Sequence, residues 1–216
     1  MHSTAVRRGV TLSVLCLVLL AAAAGARAES SNMGAYIRPV GGIKTGDPVP
    51  VFHAKGIFGE DLDLGTLIQY EKKIVLAFWS MYCSSCIEKF NSMIAIQKKY
   101  EYSGLLVISV NTDGEYRKGV QTIRDFIAEY EKKKGVKVNF PVLYDETNWL
   151  ALAMNIDFLP TIITVDGEGK VHRIYRRFGE GTDEEILAGI EEIVQDLLAT
   201  GDASPLPVNT GGQQQP

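Results

Sequence analysis

The sequence predicts an α/β fold in which helices cover a central mixed β-sheet, and three observations lead there. Residues 74–79 (Ile-Val-Leu-Ala-Phe-Trp) are a continuous apolar run, the pattern of a strand buried on both faces, and 105–110 reads as a second buried strand. Between such runs lie segments with apolar residues at helical spacing, so strands and helices alternate. Near the end, Thr161–Val165 and Val171–Arg176 flank Asp166-Gly167-Glu168-Gly169, a hairpin turn signal that makes the sheet mixed.

Taken in order, residues 49–54 and the stretch around Ile57 read as a short N-terminal β-hairpin. After the 74–79 strand the period changes: Ile87, Phe90 and Ile94 share one face of a helix spanning 84–100. The 105–110 strand follows. Val120, Ile123, Ile127 and Tyr130, spaced 3-4-3, mark the next helix, and residues 140–144 a short strand, so 119–144 is a helix-strand insertion in the centre of the chain. A short helix is expected at 147–154, before the closing hairpin. The final helix opens on a capping box, Thr182-x-x-Glu185, and buries Ile186, Ile190, Ile193 and Leu197.

The ends are of another kind. Val10 to Ala24 is apolar and uncharged, follows Arg7-Arg8, and leads to Ala26-Arg27-Ala28. Basic start, apolar centre and small-x-small exit read as a signal peptide over residues 1–28. The run is shorter than the ~20 residues of a membrane span, so no stable anchor is expected, a retained N-terminal anchor being the alternative. Residues 29–45 are Ser/Gly-rich and read as a flexible leader. Residues 201–216, with Pro205, Pro207 and a Gln-rich end, read as a disordered tail. One domain, 46–200, remains. Removing 1–28 takes away three arginines and no acid, shifting the net charge from −4 to −7. So acidic a chain would repel a phosphate backbone, and no nucleic-acid partner is expected.

Cysteine usage is the most informative feature. Cys16 leaves with the signal peptide, so the exported chain carries only Cys83 and Cys86. A ring that small removes little unfolded-state entropy, so the pair serves chemistry rather than a framework. It follows the 74–79 strand and opens the next helix. There, free N–H groups and the positive end of the helix dipole favour a thiolate, the attacking species in disulfide exchange. Cys83 at that end is therefore the expected nucleophile. Cys86, three residues on and on the same face, is the expected resolving thiol. A zinc site would need two further ligands, and His2, His53 and His172 lie far away in sequence, so no metal and no cofactor are expected. His53 and His172 read as surface residues.

Phe158-Leu159-Pro160-Thr161 stands just before a strand, where a cis proline would bring backbone beside Cys83. Phe-Trp closing a strand, Cys-x-x-Cys opening a helix and Pro-Thr before a later strand together resemble the thioredoxin fold. The entry segment Gly46-Asp47-Pro48-Val49-Pro50-Val51-Phe52, with Leu62-Asp63-Leu64-Gly65-Thr66-Leu67 after it, resembles the TlpA/ResA-like branch of exported thiol-disulfide oxidoreductases. The likeness runs over about residues 46–199. It implies that Cys83 and Cys86 are the redox pair, that Pro160 is the flanking cis proline, and that the Leu159 backbone pairs with the substrate chain. It places Tyr82 on the substrate groove and Trp79 close to the site. It further implies a periplasmic reductant of disulfide-bearing client proteins, of the cytochrome c maturation type, supplied by a membrane thiol electron donor.

Departures accompany the likeness. Ala77 stands where many thioredoxins bury an aspartate, and the opposite strand position reads as Ser109. The dipeptide between the cysteines is Ser84-Ser85, and Glu88 reads as a solvated helix residue. No cation separates the cysteines, and Lys89 reads as a solvated side chain whose charge is screened. A weakly stabilised thiolate predicts a potential below about −180 mV. Two other readings have partial support. A peroxiredoxin-like peroxidase would want Pro-x-x-x-Ser-x-x-Cys, which Ser80 fits and Leu76 does not. A copper-delivery or binding module would want Cys-x-x-x-Cys, one residue longer than the spacing here.

Overall fold

The computed structural model describes residues 42–70, 73–114, 119–176 and 182–199. The signal peptide, nearly all of the leader, and the tail expected from the sequence lie outside the described residues. The described elements are β1 (His53–Lys55), β2 (Asp61–Asp63), α1 (Leu64–Tyr70), β3 (Lys73–Trp79), α2 (Ser84–Glu88), α3 (Phe90–Tyr100), β4 (Leu105–Asn111), α4 (Gly119–Lys134), β5 (Val142–Tyr144), α5 (Trp149–Ala153), β6 (Thr161–Val165), β7 (Val171–Arg176) and α6 (Asp183–Ala199).

Five strands form the main sheet in the order β5-β4-β3-β6-β7. The first three run parallel, and β6 and β7 are antiparallel additions. β1 and β2 make a separate antiparallel pair, His53 opposite Asp63. The N-terminal hairpin thus exists but sits a few residues later than expected. Its turn is closed by the Gly56 N–H donating to the Glu60 carbonyl at 2.8 Å.

β3 lies in the middle of the sheet and is covered on both faces, as its unbroken apolar run demands. Val75 and Trp79 point into a layer built with α3, α4 and α6 through Phe90, Ile96, Ile127, Ile190 and Val194. Ile74, Leu76 and Phe78 point to the opposite layer, with Ile43, Leu64, Leu150 and Met154. The capping box of α6 is formed: the Thr182 N–H donates to the Glu185 carboxylate at 2.8 Å, and the Glu185 N–H to the Thr182 hydroxyl at 3.3 Å. Among the described residues no helix is long and apolar enough to cross a membrane.

Three local differences from the sequence reading have physical causes. The helix expected over 84–100 is two helices, divided at Lys89, whose backbone N–H turns back to the carbonyls of Cys86 and Ile87. The strand expected at 140–144 begins only at Val142, because Pro141 has no N–H for the ladder. The Pro141 carbonyl still accepts from the Ser109 N–H at 2.9 Å. The helix expected at 147–154 is shortened by Asn148, which adopts φ +54°. There the Asp145 carboxylate takes over as cap for the N–H groups of Leu150 and Ala151, and burial raises its pKa above the usual carboxylate value.

Candidate active site

Register decides where the site forms. β6 runs against β3 with Thr161 opposite Phe78, so the segment entering β6 lies beside the segment leaving β3. The same end of β4 is reached at Asn111, opposite Trp79. Three chain segments, 80–83, 112–114 and 158–160, therefore meet at one edge of the sheet, the place where open α/β sheets hold their ligands.

Cys83 is the N-cap of α2, in extended conformation, and its Sγ accepts the Cys86 N–H at 3.2 Å. The Ser85 hydroxyl lies 3.4 Å from the same sulfur. Cys83 and Cys86 are joined in a disulfide, with Cα atoms 5.2 Å apart. The two differ in access: Cys83 is half-buried, whereas Cys86 is 3 % exposed. Because α2 has five residues, the first-turn N–H groups, rather than a long helix's dipole, form the polar surroundings of the Cys83 sulfur.

A carboxylate that the sequence reading missed anchors the loop leading to Cys83. Asp113 accepts from the Ser80 hydroxyl at 2.5 Å and from the Met81 N–H at 2.9 Å, and its second oxygen also takes the Asn111 side-chain amide at 2.7 Å. Ser80 Oγ in turn accepts the Tyr82 N–H at 3.1 Å. Ser80, Asn111 and Asp113 are all buried. The one sequence signal was polar residues at the ends of two adjacent buried strands. Asp113→Ala would strand three donors, and an expected loss of about 1–3 kcal/mol should appear in urea unfolding. Reactivity of the Cys83 side should fall with it, as the loop loosens.

Beneath the pair, Ala77 stands opposite Ser109, as the sequence reading anticipated. Ala77, Ser109, Cys86, Lys89, Phe140 and Pro160 are among the residues that line a cavity of about 20 Å³. Among the described residues the Ser109 hydroxyl and the Trp79 indole N–H have no hydrogen-bond partner. Lys89 is not the solvated cation expected: it is 3 % exposed, and its ammonium donates to the Ser85 carbonyl at 3.0 Å. Burial pulls its pKa below the usual lysine value, opposed by the neighbouring Glu88 charge. Glu88 itself is exposed, as expected.

The remaining residues singled out in the sequence divide by depth. The Leu159–Pro160 peptide bond is cis, Pro160 is buried and Leu159 half-buried. The Thr161 hydroxyl ties this turn by donating to the Phe158 carbonyl at 2.7 Å. Tyr82 and Phe158, in the segments that carry Cys83 and Pro160, are exposed at 66 % and 39 %. Trp79 faces inward at 3 % exposure, edge-on to Phe90 with ring centroids 4.6 Å apart, so it shapes the floor of the site and not its open rim. His53 is exposed beside Asp61. His172 is more enclosed than a surface residue and meets Asp196 at 3.0 Å. Neither histidine lines the cavity beneath the pair. Leu76, which occupies the proline position of a peroxiredoxin-like motif, is fully buried in β3, and the Ser80 hydroxyl is directed to Asp113.

A mixed sheet that delivers a Cys-x-x-Cys disulfide from its central strand, next to a cis-proline turn, defines a thioredoxin-fold thiol-disulfide oxidoreductase. Residues 45–174 match the AhpC/TSA family, and the chain belongs to that family. Among curated relatives it is similar to the thiol-disulfide oxidoreductase ResA of Bacillus subtilis (strain 168), 29% identical over 132 residues, 61% of this chain and 67% of that protein. It is also similar to the thioredoxin-like protein YneN of the same organism, 29% identical over 141 residues, 65% of this chain and 76% of that one. Among solved structures, the Chlorobium tepidum protein described as a thiol:disulfide interchange protein DsbE superposes with a TM-score of 0.59 at 24% identity, covering 72% of this chain and 99% of that chain. StoA from Bacillus subtilis superposes with a TM-score of 0.52 at 22% identity, covering 66% and 98%. Likeness at those identities shows the fold.

Proposed function

We propose that the protein is an exported reductant of disulfides in client proteins, with Cys83 as the nucleophile and Cys86 as the resolving thiol. The observation that carries this reading is the unequal access of the two sulfurs: Cys83 is half-buried at a helix N-cap, and Cys86 is 3 % exposed behind it. In the reduced protein, the Cys83 thiolate attacks one sulfur of a client disulfide, and the other client sulfur leaves as a thiolate. Cys86, deprotonated, then attacks the Cys83 sulfur. The Cys83–Cys86 disulfide forms, the second client thiolate leaves, and two electrons have passed to the client. Pro160 and the Leu159 backbone flank the pair and receive the client chain, Tyr82 lines the groove, and Trp79 supports it from below.

The apolar run at 10–24 and the small-residue exit at 26–28 support export to the periplasm with removal of the signal peptide. A dithiol that reducing does not stay reduced in an oxidising compartment, so a membrane thiol donor completes the cycle. The resemblance of the entry segment and the Cys-x-x-Cys pair to the TlpA/ResA-like branch supports a client of the cytochrome c maturation type. Equilibration of the purified domain with glutathione or dithiothreitol buffers tests the direction. The expected potential lies below about −180 mV, with thiol-driven reduction of insulin alongside it. A potential near about −120 mV, that of a strong oxidant, would reverse the assignment.

A further inference from the structure

The buried lysine behind the pair has a part in the chemistry. Lys89 and Cys86 line one cavity of about 20 Å³, whose walls also include Ala77, Phe90, Met93 and Phe140. The Lys89 ammonium is fixed to the Ser85 carbonyl, inside the Cys-x-x-Cys turn itself. Among the described residues lining the cavity, Cys86 and Lys89 are the two that titrate, and Glu88, exposed on the same helix, is the charge acting on Lys89 from outside. Lys89 is 3 % exposed and its ammonium sits on the carbonyl of the residue before Cys86, so its charge is less screened than one on the surface.

We propose that the Lys89 ammonium favours the thiolate of Cys86, and so speeds the step in which Cys86 resolves the mixed disulfide. The inference rests on the assignment of Cys83 and Cys86 given above. In that step the Cys86 proton passes to the departing client thiolate through solvent. The Cys86 sulfur bonds to the Cys83 sulfur, and the bond between Cys83 and the client breaks. Lys89 neither gains nor loses a bond. It is a positioning residue that acts through charge. With Ala77 in the strand beneath, no carboxylate faces Cys86 from β3, and the cation supplies by attraction what a base would supply by accepting the proton.

The test uses the reduced protein and dithiobis(nitrobenzoate), which releases one thionitrobenzoate when Cys83 attacks and a second when Cys86 resolves the Cys83 adduct. Lys89→Gln keeps a donor for the Ser85 carbonyl and removes the charge, and Lys89→Met removes both. In both variants the first release should stay within about twofold of wild type. The second should slow about tenfold at neutral pH, with its pH profile displaced upward by about one unit, the lower end of what an adjacent opposite charge does to a pKa. A second release unchanged in Lys89→Gln overturns the proposal. So does a slowed release whose pH profile has not moved, since that is lost packing, and so does equal slowing of both releases. If the wild-type protein gives no two-step release, it is the assignment of the cysteines that fails.

Discussion

Turnover of a disulfide client should fall to background in Cys86→Ser, and the protein should accumulate covalently linked to its client through Cys83. Without the second thiol the mixed disulfide has no internal exit, and release depends on a thiol from solution. Cys83→Ser should be equally inactive but should form no such adduct, because the remaining sulfur is 3 % exposed behind its neighbour. In the reduced wild-type protein, iodoacetamide should label Cys83 much faster than Cys86, with an apparent pKa below the free-thiol value of about 8.5. Non-reducing electrophoresis of the trapped species, followed by peptide mapping, reads the attachment site directly. An adduct on Cys86 in Cys83→Ser, formed as fast as that on Cys83 in the converse variant, would refute the order of attack.

The largest stability effect should come from the strand that carries the pair. Phe78→Ala removes one of the bulkiest fully buried side chains, 1 % exposed in the middle strand of the sheet. The lost transfer free energy and the residual cavity together should cost about 3–5 kcal/mol. For a domain of ordinary stability, about 5–15 kcal/mol in all, that is a substantial part of the whole. Urea unfolding should show a lower midpoint with an unchanged slope. Phe78 points away from the layer that holds Trp79 and Cys86, so the protein that remains folded should keep its thiol reactivity. A loss under about 1 kcal/mol would mean that the layer around Leu64 and Leu150 collapses readily into the space.

The parts of the fold visible in the sequence are those where one physical signal dominates. Apolar runs, unbroken at 74–79 and interrupted only by Ser109 at 105–110, mark β3 and β4 because a strand covered on both faces has little polar side to display. The final hairpin is visible through its Asp-Gly turn, and α6 through a capping box that closes within four residues. The pairing of Ala77 with Ser109 was also legible, from the positions that the thioredoxin resemblance sets opposite each other. Helix α1 was overlooked, although Asp63, whose carboxylate accepts the Thr66 N–H at 2.7 Å, marks its start. The division of the helix at Lys89 has no glycine or proline to announce it. Lys89 was misread for a deeper reason. Beside Glu88 on a helix it looks like any surface cation, and only the sharing of a cavity with residues from β3, β4 and β6 shows its side chain turned inward. Asp113 belongs to the same kind: its partners Ser80 and Met81 are more than thirty positions away, so no local pattern carries it.

The two outer strands of the sheet bear on colloidal behaviour. β5 pairs with its neighbour over three residues, and Pro141 precedes it. At the other border, β7 displays Arg173 and Arg176, held by Asp196 and Asp157. Open backbone along a sheet border invites any extended chain to add itself as a further strand; here shortness, proline and charge discourage it, and the N-terminal segment covers part of both borders, the Ile57 N–H donating to the Val142 carbonyl and the Val171 N–H to the Asp47 carbonyl, each at 2.8 Å. Under the proposed function the protein meets client chains while stretches of them are extended, when that invitation is strongest. These borders therefore favour meeting a client at its sulfur atoms over recruiting it into a growing ribbon, and they leave the protein able to let go.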